Sequence, residues 1–128
     1  MKVKKFFKDY VKYYVNEKNR TITAVCDFYS GLRLFVNKID DVSGLFFHVP
    51  IKYVDCTLSV TVVCHPEDEW NEEKGKKIAF EKLYRQAIKP KVFDLLHYYQ
   101  RKAWQLDRII EETIAQNRSY SPFNKNFL

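Results

Sequence analysis

The chain has 128 residues, a formal net charge of +6 and an aromatic share of 16%. That length suits one domain with a real core. No run of about 18 apolar residues occurs, which excludes a membrane-spanning helix, and the basic start MKVKKFFKDY lacks the apolar centre and cleavage site of a signal peptide.

The charge is unevenly spread. Residues 1–20 carry seven Lys/Arg against two acids, net +5; residues 21–75 carry four against nine, net −5; residues 76–128 carry eleven against five, net +6. A basic surface studded with rings suits phosphate-bearing partners, although it also serves as an ordinary solvated face.

Residues 8–16, KDYVKYYVN, alternate loosely and are rich in β-formers. Residues 17–20 read as a turn. Residues 21–29 alternate again, with Ile22, Ala24, Cys26 and Phe28 on one side. This is a hairpin. Ser30-Gly31 reads as a second tight turn, followed by a third strand at 32–36. On that strand Arg33 and Phe35 face away from Leu32, Leu34 and Val36. Residues 37–44 read as a polar connection. Residues 45–49 and 51–54 are short β-prone runs interrupted by Pro50.

Next comes CTLSVTVVCHPEDEWNEEKGKKIAFEKLYRQAI, from Cys56 to Ile88. Cys56, Leu58, Val60, Val62 and Cys64 recur at period two, with Thr57, Ser59 and Thr61 between them, as in a half-buried strand. Pro66 ends the pairing because it has no N–H. From Trp70 the period becomes helical through Gly75, Ile78, Ala79, Lys82, Leu83, Gln86 and Ala87. Asn71 or Asp68 is the expected N-cap, and the acids of EDEWNEE match the positive end of the helix dipole. Gly75 lies on the inward stripe and lets the helix approach the sheet closely.

Lys89-Pro90 is where this helix, 70–88, should stop. A second helix, 90–116, carries Val92, Leu96, Tyr99, Ala103, Leu106 and Ile110 at alternating spacings of four and three. Such a seam predicts a homodimer or higher homo-oligomer built through this helix; an intramolecular helical hairpin is the alternative. The tail, 117–128, is polar with spaced rings. The expected fold class is therefore α+β in a single domain, 1–128. An N-terminal antiparallel sheet of five to six strands, 1–65, precedes two C-terminal α-helices, the second long.

Catalytic patterns are absent from the sequence. His48, His65 and His97 are dispersed, with no HxH, HExxH or CxxC spacing, so no metal and no cofactor is expected. Cys26, Cys56 and Cys64 are odd in number and read as reduced thiols of a cytosolic protein. The elbow carboxylates are consecutive and cannot face one another across a substrate. The stronger constellation is one for binding. Arg101, Trp104 and Arg108 share one helical face, Phe80 and Tyr84 sit four apart on the preceding helix, and Arg33 projects from its strand. Guanidinium forks clamp phosphate and rings stack on bases, so these residues together suit a nucleotide at a subunit boundary. The competing reading makes Phe80 and Trp104 core and the arginines solvated.

The segment VVCHPEDEWNEEKGKKIAFEKL resembles a pattern of many small phage proteins: a strand ending in C-x-P-E-D-E, an aromatic, Asn or Asp, then G-K-x-I-A on a helix. The wider layout, a sheet followed by two helices, resembles phage anti-defence proteins of the first Thoeris-inhibitor type. That resemblance implies a non-enzymatic sponge in the host cytoplasm. It would sequester a cyclic nucleotide messenger, a cyclic ADP-ribose isomer or a cyclic oligonucleotide, and assemble through its helices. An inhibitor of a CRISPR nuclease, or another nucleic-acid binder, is the alternative.

Overall fold

The computed structural model describes residues 2–45 and 47–118. The chain divides into two compact units, Met1–Phe93 and Asp94–Leu128. The first unit holds a short helix α1 (Val3–Phe7), strands β1 (Val11–Asn16) and β2 (Thr21–Asp27), helix α2 (Phe28–Ser43), strand β3 (Thr57–Val63) and helix α3 (Glu72–Leu83). Helix α4 (Lys89–Arg118) starts in the first unit and makes up the described part of the second.

The protein is α+β, but its sheet among the described residues has three strands, not five to six. The order is β1-β2-β3, antiparallel throughout. Register pairs Tyr13 with Ala24 and Ala24 with Val60. Ile22, Ala24, Cys26 and Val62 therefore share one buried face. The other face stays open, with Tyr14 and Val63 exposed and the Thr23 and Thr61 hydroxyls paired at 2.8 Å.

The missing strands have definite fates. Residues 32–36, expected as a strand bearing Arg33, lie inside α2. The inward residues of that element are Phe28, Gly31, Leu32, Phe35 and Val36, a helical stripe. Ser30-Gly31 is its first turn, not a tight turn between strands. Asp27 is the N-cap: its carboxylate accepts from the Ser30 N–H at 3.2 Å and from the Ser30 hydroxyl at 2.8 Å. At the other end Gly44 adopts φ 71° and donates its N–H to the Asp40 carbonyl at 2.8 Å, a left-handed helix stop. The run 51–54 is not a strand either; Ile51–Tyr53 form one turn of 3-10 helix beginning after Pro50. No strand covers the described residues of 45–49.

The expected break at Pro90 is also absent. Tyr84–Ile88 form a π-helical turn, and the backbone stays helical into α4. The Lys89 N–H reaches back five residues to the Tyr84 carbonyl. A widened turn just before Pro90 accommodates a residue that has no N–H and whose ring crowds the preceding turn. The division into helices at 70–88 and 90–116 thus gives way to one helical path from Glu72 to Arg118.

Two apolar clusters hold the first unit. In one, α3 crosses the sheet and contributes Ala79, Phe80 and Leu83 to the core with Ile22 and Val62. Gly75 has the role expected of it, since a Cβ there would collide with Ile22 Cδ1. In the other, α1 packs on α2 through rings. Phe7 stacks on Phe28 at 5.6 Å between centroids, and Phe28 meets Tyr53 at 5.7 Å. A Cβ on Gly31 would lie 2.7 Å from Phe7 Cε1.

Replacing Gly31 by Ala is therefore expected to destabilise the protein by about 2 kcal/mol, as overpacking does. At an uncrowded helix position the same change stabilises by about 1 kcal/mol. Denaturant unfolding decides the sign, and a gain would contradict the Phe7 contact.

Candidate functional site

The residues expected to bind ligand fall into three groups. Phe80 is buried and belongs to the core. Tyr84 is half-buried, its ring stacked on Phe80 at 6.3 Å. Lys4 covers Tyr84 at 5.7 Å from the ring centroid and is ion-paired with Glu81. That pair of rings is a packing feature and leaves little face for a base. Arg33, on α2 instead of a strand, is exposed with its guanidinium 5.7 Å from the Tyr29 ring centroid.

The third group lies on the distal part of α4. Arg101, Trp104 and Arg108 are all exposed. The Arg108 Nε donates to Glu112 at 3.1 Å, which offsets part of its charge. Among the seam residues, Val92 and Tyr99 are buried within the single chain and are not free to form an interface. Leu96 is half-buried, whereas Ala103, Leu106 and Ile110 are exposed. The seam available to another molecule begins about three turns later than its spacing suggests.

Arg20 carries a role that no residue pattern signals. It ends the β1–β2 turn at φ 55°, a left-handed conformation that costs an L-residue about 1–2 kcal/mol. Its guanidinium reaches across to the elbow after β3. There Nη2 donates to Cys64 Sγ and to the His65 carbonyl, both at 3.2 Å, and also to the Asp68 carbonyl. Its Nε is buried without a partner. The main chain adds a bond from the Cys64 N–H to the Arg20 carbonyl at 2.8 Å. Arg20 thus fastens the start of the acidic elbow to the hairpin. Asn71 caps α3 there, accepting from the Lys74 N–H at 3.1 Å.

A hollow of about 460 Å³ opens beside this latch, lined by Arg20, Cys64, His65, Asp68 and Lys74 among others. Its groups are already engaged. His65 Nδ1 accepts from the Glu67 N–H at 3.1 Å, and the Cys64 thiol is 3.7 Å from the His65 carbonyl. That nitrogen is therefore not available as a base for the thiol, and the thiol–base contact needed for nucleophilic catalysis is not made there. No group of three or more potential metal ligands occurs among the described residues. None of their helices is long and apolar enough to cross a membrane.

Two outcomes follow for the latch and the thiols. Arg20→Ala keeps the left-handed backbone and loses the donors; Arg20→Gly loses the donors but relieves the backbone. Arg20→Ala is expected to lose about 2 kcal/mol of stability, and Arg20→Gly about 1 kcal/mol less than that. Hydrogen exchange should speed at the Glu67 and Asp68 amides in both. Equal stabilities for the two variants would show that the backbone carries no strain. The Cys26 thiol is raised from 9.0 to about 12 by burial, with Asp27 and Cys56 adding to the shift. Burial likewise raises the Tyr13 hydroxyl. The folded chain then holds these protons after the unfolded chain has released them. Stability is complete below about pH 9 and falls as pH climbs toward 12. Thiol labelling near pH 8 should modify Cys56 and Cys64 while sparing Cys26 until the protein unfolds.

Comparison of the chain with protein-family models, with curated proteins and with solved structures finds no match.

Proposed function

We propose that this is a non-enzymatic binding protein of the host cytoplasm that associates with further copies of itself through the distal part of α4. Where the copies meet, the Arg101, Trp104 and Arg108 face holds a small phosphate-bearing cyclic nucleotide and sequesters it unchanged. The resemblance to phage anti-defence sponges supplies the ligand class, a cyclic ADP-ribose isomer or a cyclic oligonucleotide.

One observation carries the reading. Every residue of α4 from Gln100 to Arg118 is exposed, yet Trp104, Leu106, Ile109, Ile110 and Ile114 are among them. A helix of this composition, exposed on all sides, calls for a cover. Ala103, Leu106 and Ile110 keep the spacing of a helix–helix seam. Arg101 and Arg108 flank Trp104 on the adjoining face, the combination of forks and ring that suits a nucleotide. The engaged state of Cys64 and His65 supports binding over catalysis.

Light scattering on the purified chain should give a dimer or larger assembly. Leu106→Glu with Ile110→Glu should return it to monomers without unfolding the first unit. The wild-type assembly should take up a cyclic ADP-ribose isomer and release it unaltered after heat denaturation. Arg101→Glu with Arg108→Glu should lower that affinity at least about tenfold, the loss of roughly 1.4 kcal/mol. A monomeric wild type, a chemically changed ligand or no uptake would each overturn the proposal. Salt-sensitive binding to long RNA or DNA alone would put a nucleic-acid binder in its place.

A further inference from the structure

A second hollow of the first unit is lined by none of the residues assigned so far. It is a groove of about 860 Å³ between α1 and α2. Pockets that hold small molecules span roughly 300–1,000 Å³. One wall comes from α1 with the residues on either side of it, the other from α2. Lys2, Lys5, Phe6 and Asp9 line one side, and Leu34, Asn37, Lys38 and Asp41 the other, each set at i, i+3, i+4 and i+7. Tyr10 completes the lining, its ring 5.8 Å from that of Phe6 and tilted by 30°.

Among the described residues, Lys2, Lys5, Lys38, Asp9 and Asp41 make no ion pair. Lys38 sits 5.1 Å from the Phe6 ring centroid. On the same short helix Lys4 behaves differently, pairing with Glu81. One cation of α1 therefore fastens the helix down, while Lys5 is left to the groove.

We propose that the α1–α2 groove is a binding site for a nucleoside diphosphate or triphosphate. The base lies against the Tyr10 ring, because Lys38 already covers that of Phe6, and the phosphates lie among Lys2, Lys5 and Lys38. Three ammonium groups meet a polyanion, and a planar base finds a ring face. Asp9, Asp41 and Asn37 offer acceptors to ribose hydroxyls or an exocyclic amine. An anionic lipid surface has no use for those carboxylates and is repelled by them. The site is complete within one chain, so the inference goes beyond the reading of α4 and does not depend on it.

Calorimetric titration with ADP at low ionic strength tests the assignment, with adenosine and pyrophosphate as separate probes. ADP should bind saturably, at least about tenfold more tightly than either fragment. Lys5→Glu with Lys38→Glu should weaken ADP at least about tenfold, and the corresponding Gln pair should weaken it less. Both pairs are at exposed positions, and thermal unfolding checks that the fold is kept. Arg101→Glu with Arg108→Glu should leave ADP binding unchanged, which separates this site from the α4 face. The assignment is overturned by no saturation up to about 1 mM ADP, by pyrophosphate binding as tightly as ADP, or by lysine variants that bind like wild type.

Discussion

The first unit depends on one close approach, that of α3 to β2 at Gly75 and Ile22. Only the Ile22 side chain stands between helix backbone and strand there, and a methyl group on Gly75 would collide with its Cδ1. A three-stranded sheet buries little apolar area, so its one covered face must be covered closely. Ala24 and Ala79, both fully buried, are small for the same reason. This approach also sets the neighbouring geometry. With Ile22 fixed under the helix, Arg20 leaves the strand two residues earlier in a left-handed conformation, placed to reach the elbow. The elbow, held by Arg20 and by its own turn from His65 to Asp68, delivers Asn71 to cap the helix that made the approach.

Alternation made the hairpin and β3 legible, because one face of each is buried and the other is not. The same signal misled at 32–36. A window of five residues fits period two and period 3.6 about equally, and only a longer one separates them. Starting from Phe28, the buried residues run at helical spacing to Val36. The caps were in plain view as Asp27 with Ser30, and as Gly44, but each also has a turn-like reading. A strand at 32–36 followed by a connection at 37–44 leaves Leu34, Asn37, Lys38 and Asp41 in different elements, so the helical wall they form is not visible at that reading. Pro90 failed as a stop for a different reason. The rule for the residue before proline is a bias, and it is overridden here: Lys89 keeps helical angles at φ −57° and ψ −50°, with a π turn just before it.

The ligand residues were legible only in part. Spacing places Phe80 and Tyr84 on one face of α3 and its continuation, but spacing does not say whether that face looks in or out. Packing turned Phe80 inward. Val92 and Tyr99 of the α4 seam met the same outcome, while Leu106 and Ile110 did not. A heptad pattern registers how much apolar surface a helix has, and the fold decides how much of it the chain itself covers.

What α4 lacks in its own chain bears on what it is for. Most helical stability in proteins comes from packing an apolar face, not from helix propensity. The exposed Arg108–Glu112 pair adds only about 0.3–0.5 kcal/mol. Burying side chains such as Trp104, Leu106 and Ile110 against another helix yields roughly 1.5–3 kcal/mol apiece. The proposed association would therefore be a far larger source of order for this helix than its own ion pairs. The arginines of α4 differ from the lysines of the groove in the same terms. Arg108 already has a carboxylate neighbour on its own helix, whereas Lys2 and Lys5 make no ion pair among the described residues. An anion meeting the groove finds charge that is not yet neutralised and rings that are already ordered by packing. An anion meeting α4 must first displace Glu112 or arrive with a second copy of the helix. Under the two proposals, ligand capture at α4 would be coupled to assembly, and capture in the groove would not.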